Sequence, residues 1–203
     1  MKNDKKFWDF GAKFYTRFME KNDEAYIQFA DIVHPYLKSD MDVLEIGCGT
    51  GQISFLINQY VNSLVATDFS PNMIRQAFLR DKYRSINFRV EDACNLSFRD
   101  NSFDCVVMGN LLHIVPDPKR VLSEVKRVLK PNGIALFMTF VYDDLNNIGF
   151  KLKLANMLGF NTYSLFTADT YIKFIEEAGY ELIEYKTIKG NPIKECIFIG
   201  SVK

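Results

Sequence analysis

The spacing of apolar residues changes along the chain, and each spacing predicts a different element. Aromatic residues recur every three or four positions between residues 7 and 18, which predicts an amphipathic helix. A second helical pattern covers residues 26–37, where Pro35 is expected to break the helix because its ring removes a backbone donor. Beyond it, short apolar runs rich in β-branched residues predict strands. These runs span residues 43–46, 63–67, 86–90, 103–108 and 134–140.

Helix-length segments separate most of these runs, and two of the segments carry clear start signals. Ser70 precedes Pro71, and Asp117 precedes Pro118, so each pair offers a capping side chain before a proline that suits the first helical turn. The second helix is expected to end in a loop at residues 130–133, KPNG. Strands that alternate with helices pair in parallel through right-handed crossovers. The pattern therefore predicts a doubly wound α/β domain with helices on both faces of the sheet.

The end of the chain departs from this alternation. Residues 180–188 and 193–202 are strand-like, and the link between them, KGNP, is too short for a parallel crossover. An antiparallel hairpin is therefore expected, preceded by a helix that ends at Gly179. Together with the five earlier runs, the hairpin completes a mostly parallel, seven-stranded, Rossmann-like sheet.

Composition and charge exclude several classes of protein. Apolar residues make up 48% of the chain and charged residues 25%, which is the balance of a globular domain and not of a disordered one. Because 25 basic residues equal 25 acidic ones, no nucleic-acid partner is expected. The longest apolar run, residues 134–142, is too short to span a membrane, and charges interrupt the N-terminal apolar residues where an export signal would be unbroken.

The cysteines and histidines give no pattern for a metal. The four cysteines lie far apart and the chain has two histidines, so the spacing of a zinc site is missing and no metal is predicted. The pair Asp143-Asp144 is interpreted as a solvated loop. Unpaired thiols are typical of a reducing compartment, so a cytoplasmic location is expected.

Candidate binding residues follow the predicted strands, where ligands of open α/β sheets bind. The first strand ends in GCGTG, residues 47–51, whose glycines allow a tight turn and close approach of a ligand to the backbone. Asp68 follows the second strand, 21 positions after Gly47, the separation at which a carboxylate accepts hydrogen bonds from ribose hydroxyls. Glu91 and Asp92 follow the third strand, and Asn110 follows the fourth. These positions predict a nucleoside ligand.

Five segments resemble, in order and spacing, the motifs of class I S-adenosylmethionine-dependent methyltransferases. They are VLEIGCGTG at 43–51, VATDFSPNM at 65–73, VEDA at 90–93, FD to NLLH at 103–113 and LKPNG at 129–133. The chain is similar to the small-molecule branch that includes ubiquinone and menaquinone biosynthesis methyltransferases. Residues 1–203 are interpreted as one methyltransferase domain: an N-terminal helical lid (1–40), a cofactor-binding core (41–140), and a substrate-side insertion with the C-terminal hairpin (141–203).

The resemblance implies S-adenosylmethionine as cofactor and assigns ten residues to its parts. The methionine end would lie on Gly47, Cys48, Gly49 and the backbone of Asn110, the ribose on Asp68, and the adenine on Phe69, Met73, Asp92 and Ala93, while Tyr15 of the N-terminal helix would close over the site. The resemblance also implies transfer of a methyl group to a small organic acceptor. The aromatic composition of the lid segments motivates the hypothesis that this acceptor is apolar or aromatic.

The residues leave several alternatives open. His113, just past the fourth strand, is the candidate base for an acceptor that must lose a proton; otherwise it hydrogen-bonds to the backbone or lines the pocket wall. An NAD(P)-dependent oxidoreductase would need its third glycine one position later than Gly51. A non-catalytic module that binds S-adenosylmethionine would carry the same cofactor residues as an enzyme. The oligomeric state and the acceptor's identity do not follow from the sequence.

Overall fold

The computed structural model describes residues 8, 9, 11, 22–145, 161–190 and 193–202. Seven strands form one sheet in the order β3-β2-β1-β4-β5-β7-β6. The strands are β1 (Asp42–Ile46), β2 (Ser63–Asp68), β3 (Asn87–Val90), β4 (Phe103–Gly109), β5 (Leu129–Phe140), β6 (Tyr180–Ile188) and β7 (Glu195–Val202). The described helices are α1 (Asp23–Val33), α2 (Gln52–Ile57), α3 (Pro71–Arg80), α4 (Pro118–Val128) and α5 (Ala168–Glu177).

The strand directions confirm the predicted fold class. Strands β1 to β5 pair in parallel, whereas β7 lies antiparallel between β5 and β6. The chain moves outward from β1 to β2 and β3, and then returns to the other side of β1 with β4. The strand order therefore reverses between β1 and β4, which is where ligands bind in doubly wound sheets.

The two predicted capping side chains, Ser70 and Asp117, cap the helices that follow them. The Ser70 hydroxyl accepts from the Met73 amide at 3.1 Å, and the Asp117 carboxylate accepts from the Arg120 amide at 3.0 Å. Each side chain satisfies one of the backbone donors that a helix start leaves unpaired. Helix α1 ends at Val33, and a short 3-10 turn containing Pro35 follows it.

One prediction about this part of the chain is wrong. Residues 130–133 were expected to form a loop between helix and strand, but β5 begins at Leu129, immediately after α4. Leu129 pairs with Phe103, and the register then shifts so that Ile134 pairs with Cys105. Asn132 has a left-handed backbone with φ of 64°. The proline, asparagine and glycine of KPNG therefore mark an irregularity within the strand, as such residues do at bulges.

The core lies on both faces of the sheet. Leu44 and Ile46 of β1 pack on the side covered by α4 and α5, and Val43 packs on the side covered by α1 and α2. This alternation follows from the two-residue period of a strand. Of the aromatic residues at 7–18, the described part of the chain includes Trp8 alone, so the predicted N-terminal stripe lies otherwise outside it. In the described ranges, no helix has both the length and the apolar composition needed to cross a membrane.

Candidate active site

A cavity opens at the carboxyl edge of β1, β2, β3 and β4, at the reversal of strand order. Eight of the ten residues predicted to bind the cofactor line it: Gly47, Gly49, Asp68, Phe69, Met73, Asp92, Ala93 and Asn110. Cys48 is buried in the core beneath the loop, and Tyr15 lies outside the described residues. The cavity is also lined by residues that sequence reasoning did not assign, among them Trp8, Leu111, Ile114 and Val115.

The glycine loop after β1 forms the floor of this cavity. The amides of Gly47 and Cys48 both donate to the Thr67 carbonyl, at 2.8 and 2.9 Å, which ties the loop to the end of β2. Gly47 has φ of 75°, and a Cβ atom there would lie 2.9 Å from Leu111 Cδ1. The left-handed backbone at this position favours glycine, and a Cβ atom there would require the Leu111 side chain to move.

Asp68 holds the same loop from the side of β2. Its carboxylate accepts from the Gly49 amide at 3.0 Å through Oδ2, and from the Ser70 amide at 2.9 Å through Oδ1. Burial raises the pKa of Asp68 to about 6, so the group is mostly ionised at about pH 7.5. Because each carboxylate oxygen has more than one acceptor site, Asp68 can also accept from a ligand in the cavity.

A second carboxyl group, missed by the sequence analysis, lies beneath the loop. Glu45 of β1 is buried and accepts a hydrogen bond from the Ser54 hydroxyl of α2. Burial raises the pKa of Glu45 to about 7. Burial also raises the pKa of the Cys48 thiol well above its usual range, so Cys48 is a poor candidate for a nucleophile. The sequence could have indicated this buried carboxyl group, because Glu45 is a charged residue within the otherwise apolar strand segment VLEI.

The two polar residues after β3 have different surroundings. Asp92 accepts from the Cys94 amide at 2.9 Å through Oδ1, which shapes a tight turn at the cavity wall. Glu91 also lines the cavity, but its two oxygens accept from the Ser97 amide and hydroxyl, at 3.1 and 2.6 Å. Phe69 and Met73 line the same end of the cavity from the start of α3. The lining at this end therefore combines apolar side chains with the carboxyl group of Asp92.

Asn110 follows β4 at the opposite end of the cavity. Its backbone is left-handed, with φ of 54°, and its amide donates to the Met138 carbonyl at 2.8 Å. The side-chain Nδ2 donates to Glu195 Oε2 at 3.1 Å, and the other oxygen of Glu195 accepts from Asn22 Nδ2 at 2.7 Å. Glu195 is fully buried, and the sequence analysis missed it. The sequence could have indicated a buried carboxyl group here, because Glu195 stands at the start of an apolar strand.

The N-terminal residues reach the cavity near α3. Trp8 lines the cavity, while Asp9 accepts a hydrogen bond from the Ser70 hydroxyl. The Asp9 carbonyl also accepts from Asn72 Nδ2 at 3.1 Å. A carboxylate at this place is further stabilised by the helix dipole, because these contacts lie at the N-terminus of α3. These contacts anchor Asp9, the residue next to Trp8, at the start of α3.

Comparison with known proteins identifies the domain. The Methyltransferase domain family matches residues 44–137. A ubiquinone/menaquinone biosynthesis C-methyltransferase from Desulfotalea psychrophila is 43% identical over 93 residues, 45% of this chain and 38% of that protein. A demethylmenaquinone methyltransferase from Desulfitobacterium hafniense is 38% identical over 106 residues, 49% of this chain and 42% of that protein. A SAM-dependent methyltransferase structure from Methanosarcina mazei has a TM-score of 0.67 at 27% identity, covering 84% of this chain and 96% of that one.

Residues 44–137 match the Methyltransferase domain family, and this match, the relatives and the solved structure together support a class I S-adenosylmethionine-dependent methyltransferase. S-adenosylmethionine is the cofactor of this domain, as the sequence predicted. The alternative of an NAD(P)-dependent oxidoreductase is therefore not supported. The matched segment spans about two fifths of the length of each of the two bacterial relatives.

Three features of the cavity fit S-adenosylmethionine. Gly47 and Gly49 line the cavity, so backbone of the loop is exposed to a ligand there. Asp68 presents a carboxylate to the cavity wall, as recognition of ribose hydroxyls requires. Asn110 lines the cavity after β4, on the other side of β1 from Asp68, so polar residues lie at both ends of the cavity.

The structure separates His113 from the cofactor residues. Its ring is buried, lies 3.1 Å from the Thr139 hydroxyl through Nδ1, and packs edge-on against Phe140 at 5.1 Å between centroids. His113 is not among the residues that line the cavity, and burial lowers its pKa to about 3. The ring is therefore neutral and bonded to a side-chain hydroxyl, whereas the sequence had offered a hydrogen bond to the backbone or a place in the pocket wall as the alternative to a base. Its role as a base stays a prediction.

Proposed function

We propose that the protein is a methyltransferase that transfers the methyl group of S-adenosylmethionine to a small organic acceptor by in-line displacement. The observation that supports this best is the arrangement of Asp68, which ties the Gly49 backbone to the end of β2 while lining the cavity. One carboxylate thereby fixes both the loop and the position offered to the ribose. Such preorganisation would orient the bound cofactor before the reaction.

The chemistry proposed for the site requires position more than acid or base groups. Bound S-adenosylmethionine supplies a methyl group on a sulfonium, and the sulfur that departs is neutral. The chain contributes an orienting carboxylate at Asp68, backbone contacts at Gly47 and Gly49, and an apolar wall around Leu111 and Ile114 that limits water. A base is needed only where the acceptor must lose a proton, and His113 is the proposed candidate.

An apolar or aromatic acceptor is part of the proposal. The relatives include methyltransferases named for ubiquinone and menaquinone biosynthesis and a sterol 24-C-methyltransferase from Neurospora crassa. In this chain the wall beyond Asn110 is apolar, since Leu111, Ile114 and Val115 line it.

A reducing, cytoplasmic location is a separate part of the proposal. It is supported by the four cysteines, which are unpaired thiols in the structure.

The proposal is tested in two steps. Calorimetric titration with S-adenosylmethionine, S-adenosylhomocysteine and NADH should show binding of the first two alone, and the Asp68→Asn variant should bind them about 100-fold more weakly. The formation of S-adenosylhomocysteine is then measured with a panel of hydroquinones, sterols, amino acids and polyamines. Turnover with an apolar or phenolic member supports the proposal. Binding of cofactor with no turnover across the panel favours a non-catalytic module, and turnover with polyamines alone contradicts the apolar acceptor.

A further inference from the structure

Three large side chains are exposed close together where α3 ends and the chain turns toward β3. They are Phe78, Leu79 and Tyr83, which are 47%, 61% and 90% exposed. The described part of the chain exposes nine large apolar or aromatic side chains, so a third of them lie within six positions. A single exposed apolar side chain needs no explanation, whereas a group of them marks an interaction surface.

The exposed charged side chains around this group are all basic. Within residues 71–90 they are Arg75, Arg80, Lys82, Arg84 and Arg89. The one acidic residue of this segment, Asp81, is buried, and its carboxylate accepts from the Ile86 amide at 3.0 Å. Arg75 and Lys82 take part in no ion pair with the carboxylates that the structure describes. The surface is therefore positively charged, although the whole chain is neutral.

Helical spacing brings basic and apolar side chains onto one outward face of α3. Arg75, Phe78 and Leu79 are three or four positions apart, so they lie on the same side of the helix. Met73 and Ala77 lie on the opposite side and are buried. Because α3 already packs against the domain through that side, its exposed face is available to a partner.

Contacts in the turn after α3 fix the rest of this surface. The Arg84 backbone is left-handed, with φ of 53°. Its guanidinium donates to the Phe78 carbonyl and lies over the Phe78 ring, 3.7 Å from the ring centroid. Lys82 and Tyr83 are exposed between these two residues. The surface is therefore formed before a partner binds, which reduces the entropy that binding would lose.

A lipid surface fits this combination of side chains better than a nucleic acid does. Lysine and arginine are attracted to anionic headgroups, and apolar or aromatic side chains bury at the boundary between headgroups and acyl chains. Leu79 offers neither a hydrogen bond nor a stacking face to a nucleic acid, but its burial in lipid is favourable. The proposed acceptor is apolar, and apolar molecules leave water for the interior of a bilayer.

The surface lies beside the cofactor cavity and not within it. Met73, in the first turn of α3, lines the cavity. Leu79 lies six residues further along the helix, which corresponds to about 9 Å along its axis. A domain docked through this surface would keep its cavity close to the lipid in which an apolar acceptor dissolves.

We propose that Arg75, Phe78, Leu79, Lys82 and Tyr83 form a docking surface, which we call the α3 surface, for an anionic membrane. Leu79 and Tyr83 bury among the lipid headgroups, and Arg75 and Lys82 contact lipid phosphates. The choice of lipid as the partner rests on the proposed apolar acceptor. The surface itself is independent of the residues proposed to bind the cofactor.

Co-sedimentation with lipid vesicles tests this assignment. The full chain should bind vesicles made of equal parts of phosphatidylcholine and phosphatidylserine. It should bind vesicles of phosphatidylcholine alone about tenfold more weakly, because these lack anionic headgroups. Added salt should weaken the binding to the anionic vesicles, since it screens exposed charges.

The double variant Arg75→Gln with Lys82→Gln tests the basic part of the α3 surface. Its affinity for the anionic vesicles should fall about 25-fold, since each basic residue near an anionic surface contributes roughly fivefold. Lys38→Gln with Lys173→Gln is the matched control, because it removes the same charge at exposed positions outside the α3 surface. The control should change the affinity by less than about twofold.

The double variant Leu79→Ser with Tyr83→Ser removes apolar side chains and keeps the charge. Its affinity for the anionic vesicles should fall about tenfold, because the burial of both side chains is lost. Ile183→Ser with Tyr185→Ser is the matched control. These β6 side chains are 51% and 47% exposed, but they stand beside Glu184, which an anionic surface repels. The control should bind the vesicles as tightly as the wild type does.

Calorimetry with S-adenosylhomocysteine keeps this test separate from the proposed function. All four double variants should bind this ligand as the wild type does, because none of the changed residues lines the cavity. A wild-type protein that binds anionic vesicles but not S-adenosylhomocysteine would contradict the proposed function and leave the docking surface standing.

Other results overturn the assignment. A wild-type protein that binds no vesicles, or binds both kinds equally, does not dock on an anionic membrane. Equal losses in the variants and their controls would mean that binding is not confined to the α3 surface. Binding of polyglutamate or RNA through this surface, without binding of vesicles, would assign it to a macromolecular partner. If a double variant does not fold, Tyr83→Ser alone, at the most exposed position, decides between these results.

Discussion

The two halves of the sheet place polar groups at its carboxyl edge in different ways. In the half formed by β1, β2 and β3, the functional groups follow directly after a strand, and their main contacts are to backbone nearby, as between Asp68 and the Ser70 amide. In the half formed by β5, β7 and β6, Glu195 contacts Asn22 and Asn110, which are 173 and 85 positions away in sequence. The first half is therefore specified locally, and the second by long-range packing.

The second half also contains a group of large, buried aromatic side chains. Phe137 of β5 packs against Tyr180 and Phe198 at centroid distances of 5.7 and 6.1 Å, and all three are buried. The cofactor cavity lies at the other half. This division predicts that truncation of the aromatic core in the second half alters mainly stability, whereas changes to the side chains that line the cavity alter mainly cofactor affinity.

The largest expected effect is on stability, from Phe137→Ala. Removing a buried phenylalanine leaves a cavity among aromatic neighbours and should lower the free energy of unfolding by about 3–5 kcal/mol. Urea unfolding measures this loss, and calorimetry on the folded protein should find S-adenosylhomocysteine affinity within about twofold of wild type. Phe78→Ala is the control, because Phe78 is 47% exposed and its loss should cost much less. A loss of cofactor affinity in Phe137→Ala would contradict the division between the halves.

The next largest effect is on cofactor affinity, from Asp68→Asn. The variant keeps the size of the side chain but removes the charge and one acceptor, so ribose hydroxyls and the Gly49 amide compete for one oxygen. Affinity for S-adenosylhomocysteine should fall about 100-fold in calorimetry, because charged acceptors form the stronger hydrogen bonds.

Asp104→Asn is the matched control for this variant. Asp104 lies near the start of β4, where it pairs with Lys130 at 2.9 Å, at the opposite edge of the sheet. The Asp104→Asn variant should therefore bind the cofactor as tightly as the wild type does. Retention of wild-type affinity by Asp68→Asn would remove Asp68 from the ribose site.

The same contrast explains what the sequence could and could not predict. Glycines, capping residues and carboxylates next to a strand end act over a few positions, so Gly47, Ser70 and Asp68 were assigned from spacing. The loop expected at residues 130–133 was wrong because pairing of Leu129 with Phe103 draws these residues into β5. Glu195 was missed because its partners are set by the packing of β7, which no local pattern specifies. Tyr15 stays a prediction.

A smaller effect should appear as a pH dependence of stability. Burial raises the pKa of Glu45 from 4.5 to about 7 in the folded protein. Between these values the folded state binds more protons than the unfolded state, so this contribution to stability is complete below pH 4.5 and is lost as the pH rises through 7. The neutral Glu45→Gln variant lacks this loss. Relative to wild type, it should gain about 2–3 kcal/mol between about pH 5 and pH 8.

Urea unfolding of both proteins across this pH range checks the prediction. Asp68 titrates in the same direction, with a pKa of about 6, but it is present in both proteins and its contribution largely cancels in the difference. Parallel stability profiles for the two proteins would show that Glu45 does not titrate in this range.

The smallest effect concerns the N-terminal contact with the cavity. Asp9 accepts from the Ser70 hydroxyl at the start of α3, and Trp8 beside it lines the cofactor cavity. Asp9→Ala removes the contact that anchors the residue next to Trp8 and should weaken S-adenosylhomocysteine binding about twofold to fivefold, since a carboxylate at a helix N-terminus contributes about 0.3–1 kcal/mol. Trp8→Ala should cause a similar or larger loss, and the double variant should match Trp8→Ala alone. Asp23→Ala, at an exposed position in the first turn of α1, should leave affinity unchanged. Additive losses in the double variant would show that Asp9 acts on the cofactor independently of Trp8.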